Sequence, residues 1–180
     1  MRKSLQRLFT IPNFAAFGFL ILIVATAGHY GFFGDELYYF ACSKHLAFGY
    51  VDQPPLVAIL TFISTTIFGE TIIGLRFMSG LFGAFTVLFT AKIAEETGGG
   101  KYSRALAALS ICFGLAFPAL SSFFSMNPVD IMLCTLFILM FLKTIRESSP
   151  KKWITLGIIS GLGLLNIRIL VCHLLLFFHN

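Results

Sequence analysis

Two adjacent carboxylates, Asp35 and Glu36, stand where a long apolar run gives way to the polar segment GDELYYFACSKHLAFGYVDQPPL, Gly34 to Leu56. Acids at the edge of an apolar phase are partly desolvated, which moves their pKa values up toward those of a working base, and a positioned base contributes roughly 10²–10⁴ in rate. The competing reading is structural: Asp35 caps a short helix from Glu36 to Phe48, whose first turn favours acids. Asp52 and Gln53 add hydrogen-bonding groups ahead of Pro54-Pro55, and a simple polar turn explains them equally well. Arg76 lies inside the next apolar run. Its guanidinium could hold a phosphate bidentately; the plainer alternatives are an ion pair with Asp52 or Glu70, or snorkelling. Asp130 follows Asn127-Pro128 at the start of another apolar stretch, where an acid must face a cavity or a partner, or serve as an N-terminal helix acid.

Metal chemistry finds little support. Glu36 and His45 are nine residues apart, which at about 100° per residue puts them on opposite sides of a continuous helix. His29 sits in an apolar stretch and reads as bonded to a neighbouring helix. Cys42, Cys112, Cys134 and Cys172 show no C-x-x-C spacing and read as packing thiols. Gly98-Gly99-Gly100 is a turn, since no Gly-Lys-Ser/Thr follows it. No metal ligand set is assigned, and whether a divalent cation takes part stays open.

These residues are positioned by apolar segments. The chain is 57% hydrophobic and 12% charged, with 22 phenylalanines and a mean hydropathy of +0.89. Soluble domains carry about 25% charged residues, so 180 residues with this composition could not cover a surface in water. The expected class is an all-α polytopic membrane protein. A span needs roughly 20 apolar residues, and five segments qualify: 11–33, 71–93, 103–123, 129–145 and 153–177. The first is too long and lacks the cleavage site of a signal peptide. Pro55–Phe68 is apolar but short, and reads as an interfacial helix within an outer loop, 34–70.

Basic connections alternate with non-basic ones. Arg2, Lys3 and Arg7 precede the first span; Lys92, Lys101 and Arg104 bracket the second connection; Lys143, Arg146, Lys151 and Lys152 cluster in the fourth. The loop holding Asp35, Glu36, Asp52 and Glu70 has Lys44 alone against them. The net charge of +5 is thus a topology signal, not a nucleic-acid footprint. It predicts a multi-pass cell-membrane protein with a cytoplasmic N-terminus and an outward-facing acidic loop.

The order of three motifs resembles a known family. Gly34-Asp35-Glu36-Leu37-Tyr38-Tyr39 follows the first span, Tyr50-Val51-Asp52-Gln53-Pro54-Pro55-Leu56 forms a turn, and Gly74-Leu75-Arg76 opens the second span. With weaker likeness through SMNPVDIMLCTLF to GIISGLGLL, residues 34–165 are similar to the dolichyl-phosphate-mannose–protein mannosyltransferase-like family, glycosyltransferase family 39. The resemblance implies a GT-C-like N-terminal transmembrane module with juxtamembrane helices on its outer loop. It further implies a polyprenyl- or dolichyl-phosphate-linked sugar donor and an acceptor hydroxyl of a glycan, lipid or protein. Asp35 matches the family's catalytic acid, with Glu36 beside it; Asp52, Gln53, Arg76 and Asp130 are the substrate-binding candidates. The ending NIRILVCHLLLFFHN departs from that pattern and reads as a truncation, a frameshift or half of a split gene. The alternative is a non-catalytic small polytopic subunit or transporter-like component, with Asp35, Arg76 and Asp130 forming a polar path.

Overall fold

The computed structural model describes residues 10–51 and 53–166; Asp52, Arg168, Cys172 and the basic N-terminal residues fall outside that range. Among the described residues the regular structure is all helix, with no strand. In chain order the helices are α1 (Ile11–Thr26), α2 (Gly34–Lys44), α3 (Leu56–Phe68), α4 (Ile72–Glu96), α5 (Lys101–Phe113), α6 (Ala116–Ser121), α7 (Met126–Arg146) and α8 (Pro150–Leu164). Two of them, α4 and α7, are long and apolar enough to cross a membrane. The remainder of the fifth expected span, beyond residue 166, lies outside the described residues.

Several boundaries differ from the sequence expectation, each for a local reason. The first helix stops at Thr26 rather than running to Phe33, because the carbonyls that follow it are taken by Arg76 from α4: its Nη1 donates to Ala27 O at 2.6 Å and its Nη2 to Gly31 O at 2.8 Å. A cation at a helix C-terminus satisfies orphan carbonyls and complements the helix dipole. The third expected span, 103–123, is broken at Gly114. Pro118 lacks the N–H that would bond Gly114 O, and its ring would meet that carbonyl, so α5 ends and the short α6 starts with Pro118 in its first turn. The fourth starts earlier than Val129, since the Ser125 hydroxyl accepts the Asn127 N–H at 3.2 Å and Pro128 fits a first turn.

Helix α4 is the axis of the bundle, with α1, α5 and α7 packed around it and α8 against α7. Glycines on α4 allow the closest approach. A Cβ at Gly80 would lie 3.0 Å from Leu20 Cδ1, and one at Gly83 would run into the ring of Phe19. Tyr39, Val57, Leu75, Phe124 and Val129 fill a core where α2 and α3 rest on the bundle.

The polar ends of the helices sort into two groups. At one end, Leu56 N donates to Leu165 O and Asn166 Nδ2 to Met126 O at 2.9 Å, so the starts of α3 and α7 meet the end of α8 beside the acidic loop. At the other, Arg104 pairs with Glu95, and Lys143 and Arg146 share Glu96. Helix α3 presents Ile59, Phe62, Ile63 and Ile67 outward while burying Thr61 and Ser64. A largely apolar outer face, with Thr66 the exposed hydroxyl on it, suits contact with lipid rather than water.

Candidate functional site

The site grows from the first turn of α2. Phe33, in extended conformation, occupies the N-cap position, so Asp35 falls inside the helix instead of capping it, and α2 runs Gly34–Lys44 rather than to Phe48. The expected capping role passes to Glu36, three residues on, whose Oε2 accepts the Phe33 N–H at 2.8 Å. The helix ends at Lys44, where the Tyr50 hydroxyl donates to Cys42 O at 2.9 Å and also contacts His45 O.

Glu36 is 0% exposed and Arg76 3%. Their pairing is bidentate: Arg76 Nε to Oε1 at 3.2 Å and Nη2 to Oε2 at 3.1 Å. Oε1 also accepts the Phe124 N–H at 2.9 Å. Arg76 sends its remaining N–H groups to Ala27 O, Tyr30 O and Gly31 O. All five guanidinium donors are thereby engaged, as are both carboxylate oxygens. Of the two acids offered as alternative partners of Arg76, Glu70 pairs instead with Lys44, at 2.9 Å and in the open, and Asp52 lies outside the described residues. One buried pair thus ties the end of α1, the start of α2, α4 and the α6–α7 link together.

Asp35 contrasts with its neighbour. It is exposed, and among the described residues its carboxylate has no hydrogen bond or ion pair. The rigid pair beside it fixes the backbone from which it projects. Beneath the loop, a cavity of about 500 Å³ is bounded by Tyr30, Phe33, Arg76, Ser122 and Phe123, with the Phe33 and Phe123 rings stacked 4.6 Å apart.

The other candidates disperse. Gln53 is buried, with Nε2 3.6 Å from Cys42 Sγ and Oε1 without a partner, so it faces inward. Asp130 stands about one turn into α7 and receives the Cys134 thiol at 3.9 Å. His29 is exposed in the turn after α1 rather than set in a span. Among the described residues, no three His, Cys, Asp or Glu side chains gather as a metal site.

The contacts of three residues at this end were not legible in the sequence. Ser79 donates its hydroxyl to Ser121 O at 2.8 Å and lies 3.1 Å from Phe123 O, holding the α6–α7 link. Tyr50 and Asn166 act similarly on α2 and α7. The usable signal for Ser79 was a small polar residue within an apolar run, which must find a buried partner.

An all-helical membrane module with an acidic loop held on its end defines the class. The profile of the dolichyl-phosphate-mannose-protein mannosyltransferase family matches residues 52–178, and the chain belongs to that family. Membership places it among membrane glycosyltransferases, a family whose donors are dolichyl-phosphate-linked sugars. No curated protein and no solved structure matches the chain. The match starts after Asp35 and Glu36. It also continues past Leu165, so most of the ending NIRILVCHLLLFFHN, read from sequence as departing from the family, lies within it.

Proposed function

We propose that this chain bears the acidic-loop side of a sugar-transfer site, with Asp35 as the general base. The donor is a sugar on a polyprenyl or dolichyl phosphate; the acceptor is a hydroxyl of a glycan, lipid or protein. Asp35 takes the hydroxyl proton as that oxygen attacks the anomeric carbon. The bond from that carbon to the phosphate oxygen breaks, the polyprenyl phosphate leaves with the electron pair, and the configuration inverts. The loop faces the outer side of the membrane, with five crossings and a cytoplasmic N-terminus.

The observation that carries this reading is the division between the two acids. Glu36 is saturated and buried, while Asp35 is exposed and uncommitted next to it. A base must reach the proton it removes, and Asp35 is the one with free lone pairs. Glu36 and Arg76 act as positioning residues: with every donor engaged, Arg76 could take a donor phosphate only by giving up bonds that hold the loop. For the same reason Arg76 is poorly suited to relay ions in a transporter-like path. Asp52 and Asp130 are the further candidate contacts to the sugar, and Gln53 would join them only by leaving its buried contact with Cys42.

The test is transfer from labelled polyprenyl-phosphate sugars by membranes containing the chain, compared with Asp35→Asn. Loss of transfer supports the assignment, and wild-type-like transfer by the variant removes it.

A further inference from the structure

The turn between α7 and α8 carries more positive charge than its own acids neutralise. Lys143, Arg146, Lys151 and Lys152 supply four cations, and the carboxylates among them are Glu96 and Glu147. Glu96 is divided between Lys143 at 3.7 Å and Arg146 at 3.3 Å. Lys152 holds Glu147 at 2.9 Å. Lys151 is exposed and has no ion-pair partner among the described residues.

Below these cations the surface changes in sequence order. Trp153 is 53% exposed, with its ring N–H donated to Ser148 Oγ at 3.1 Å. Ile154, Ile158 and Leu162 then follow Lys151 at helical spacing and all face outward. Eleven residues at 1.5 Å each span about 16 Å, close to half of a roughly 30 Å hydrocarbon core. Cation and aliphatic stripe therefore align along one face of α8 over the depth of one leaflet, while Trp153, two residues after Lys151, lies about 200° round the helix from that cation.

We propose that this turn seats the phosphate headgroup of an anionic phospholipid, whose acyl chains lie along the Ile154–Ile158–Leu162 stripe. Charge complementarity selects the headgroup: the surplus is positive, and each lysine near a membrane surface enriches anionic lipid by about fivefold. A neighbouring protein helix would bury the same stripe but leave Lys151 without its counter-charge.

Trp153 is the single tryptophan of the chain and lies off the stripe, so the probe is moved onto it by Trp153→Phe with Ile158→Trp, whose fluorescence reads this face alone. The whole chain is placed in bilayers containing equal fractions of brominated phosphatidylglycerol or brominated phosphatidylcholine, and quenching is compared. The brominated phosphatidylglycerol is expected to associate about two- to fivefold more strongly, a preference that falls toward unity in about 0.5 M salt and in Lys151→Glu. That substitution is at an exposed site in the first turn of α8, where an acid suits the helix dipole, so the fold should persist. Equal quenching by the two lipids overturns the proposal. So does a preference that survives Lys151→Glu, or an Ile158→Trp probe that neither lipid quenches because protein covers the stripe.

Discussion

Asp35 and Glu36 are neighbours with opposite fates, and substitution should separate them. Asp35→Asn removes a proton acceptor without removing a bond, so transfer should fall by about 10²–10⁴. Its melting temperature should hardly move, because the acid's helix-dipole contribution is only about 0.3–1 kcal/mol. Glu36→Gln should behave in reverse, with the loss appearing first in thermal unfolding in detergent. Breaking a buried ion pair from one side costs about 3–5 kcal/mol, since the other charge stays buried. Replacing both Glu36 and Arg76 with leucine should not rescue the fold, because Arg76 also serves three carbonyls and Glu36 two N–H groups. The two acids were legible as a pair. Their division of labour was not, because Arg76 is 40 residues from Glu36 along the chain, and local spacing cannot report such a contact.

Among the helices, the α1–α4 seam depends on glycines that leave room for Phe19 and Ile23. Gly83→Leu should separate α1 from α4 and destabilise by about 1–3 kcal/mol, the usual range for overpacking; thermal unfolding should show it with Asp35 untouched. At the α7–α8 turn, the Lys152 hydrogen bond and charge hold the Glu147 carboxyl below its ordinary range. A depressed acid contributes stability above its unfolded pKa and loses it as pH falls through the folded one. The Glu147–Lys152 contact should therefore persist at neutral pH and open under acid, which the chemical shift of the Glu147 carboxyl can follow. The length of the apolar stretches gave the helices, and proline and glycine positions account for where they break. It could not give the early stop of α1, which Arg76 causes from another helix.

The described helices together separate a basic end from the end that carries the acidic loop. If the charge bias sets orientation, a cysteine replacing the fully exposed Phe48 should react with a membrane-impermeant maleimide on intact cells. One at Ser148 should react only after permeabilisation, with the native cysteines first removed. The opposite pattern would put Asp35 on the cytoplasmic side and end the proposed transfer site.

Composition and charge order settled the solvent and the class of this chain, because the cost of exposing apolar surface and of placing charge in lipid is summed residue by residue and does not depend on how helices pack. The family likeness rested likewise on motifs read in line. Which acid is free and which is bound could not be read that way. That followed from α4 bringing Arg76 to the end of α1 and from the α6–α7 link delivering the Phe124 N–H to Glu36, contacts that exist once the helices are assembled, since a buried charge takes its partner from whichever element lies against it.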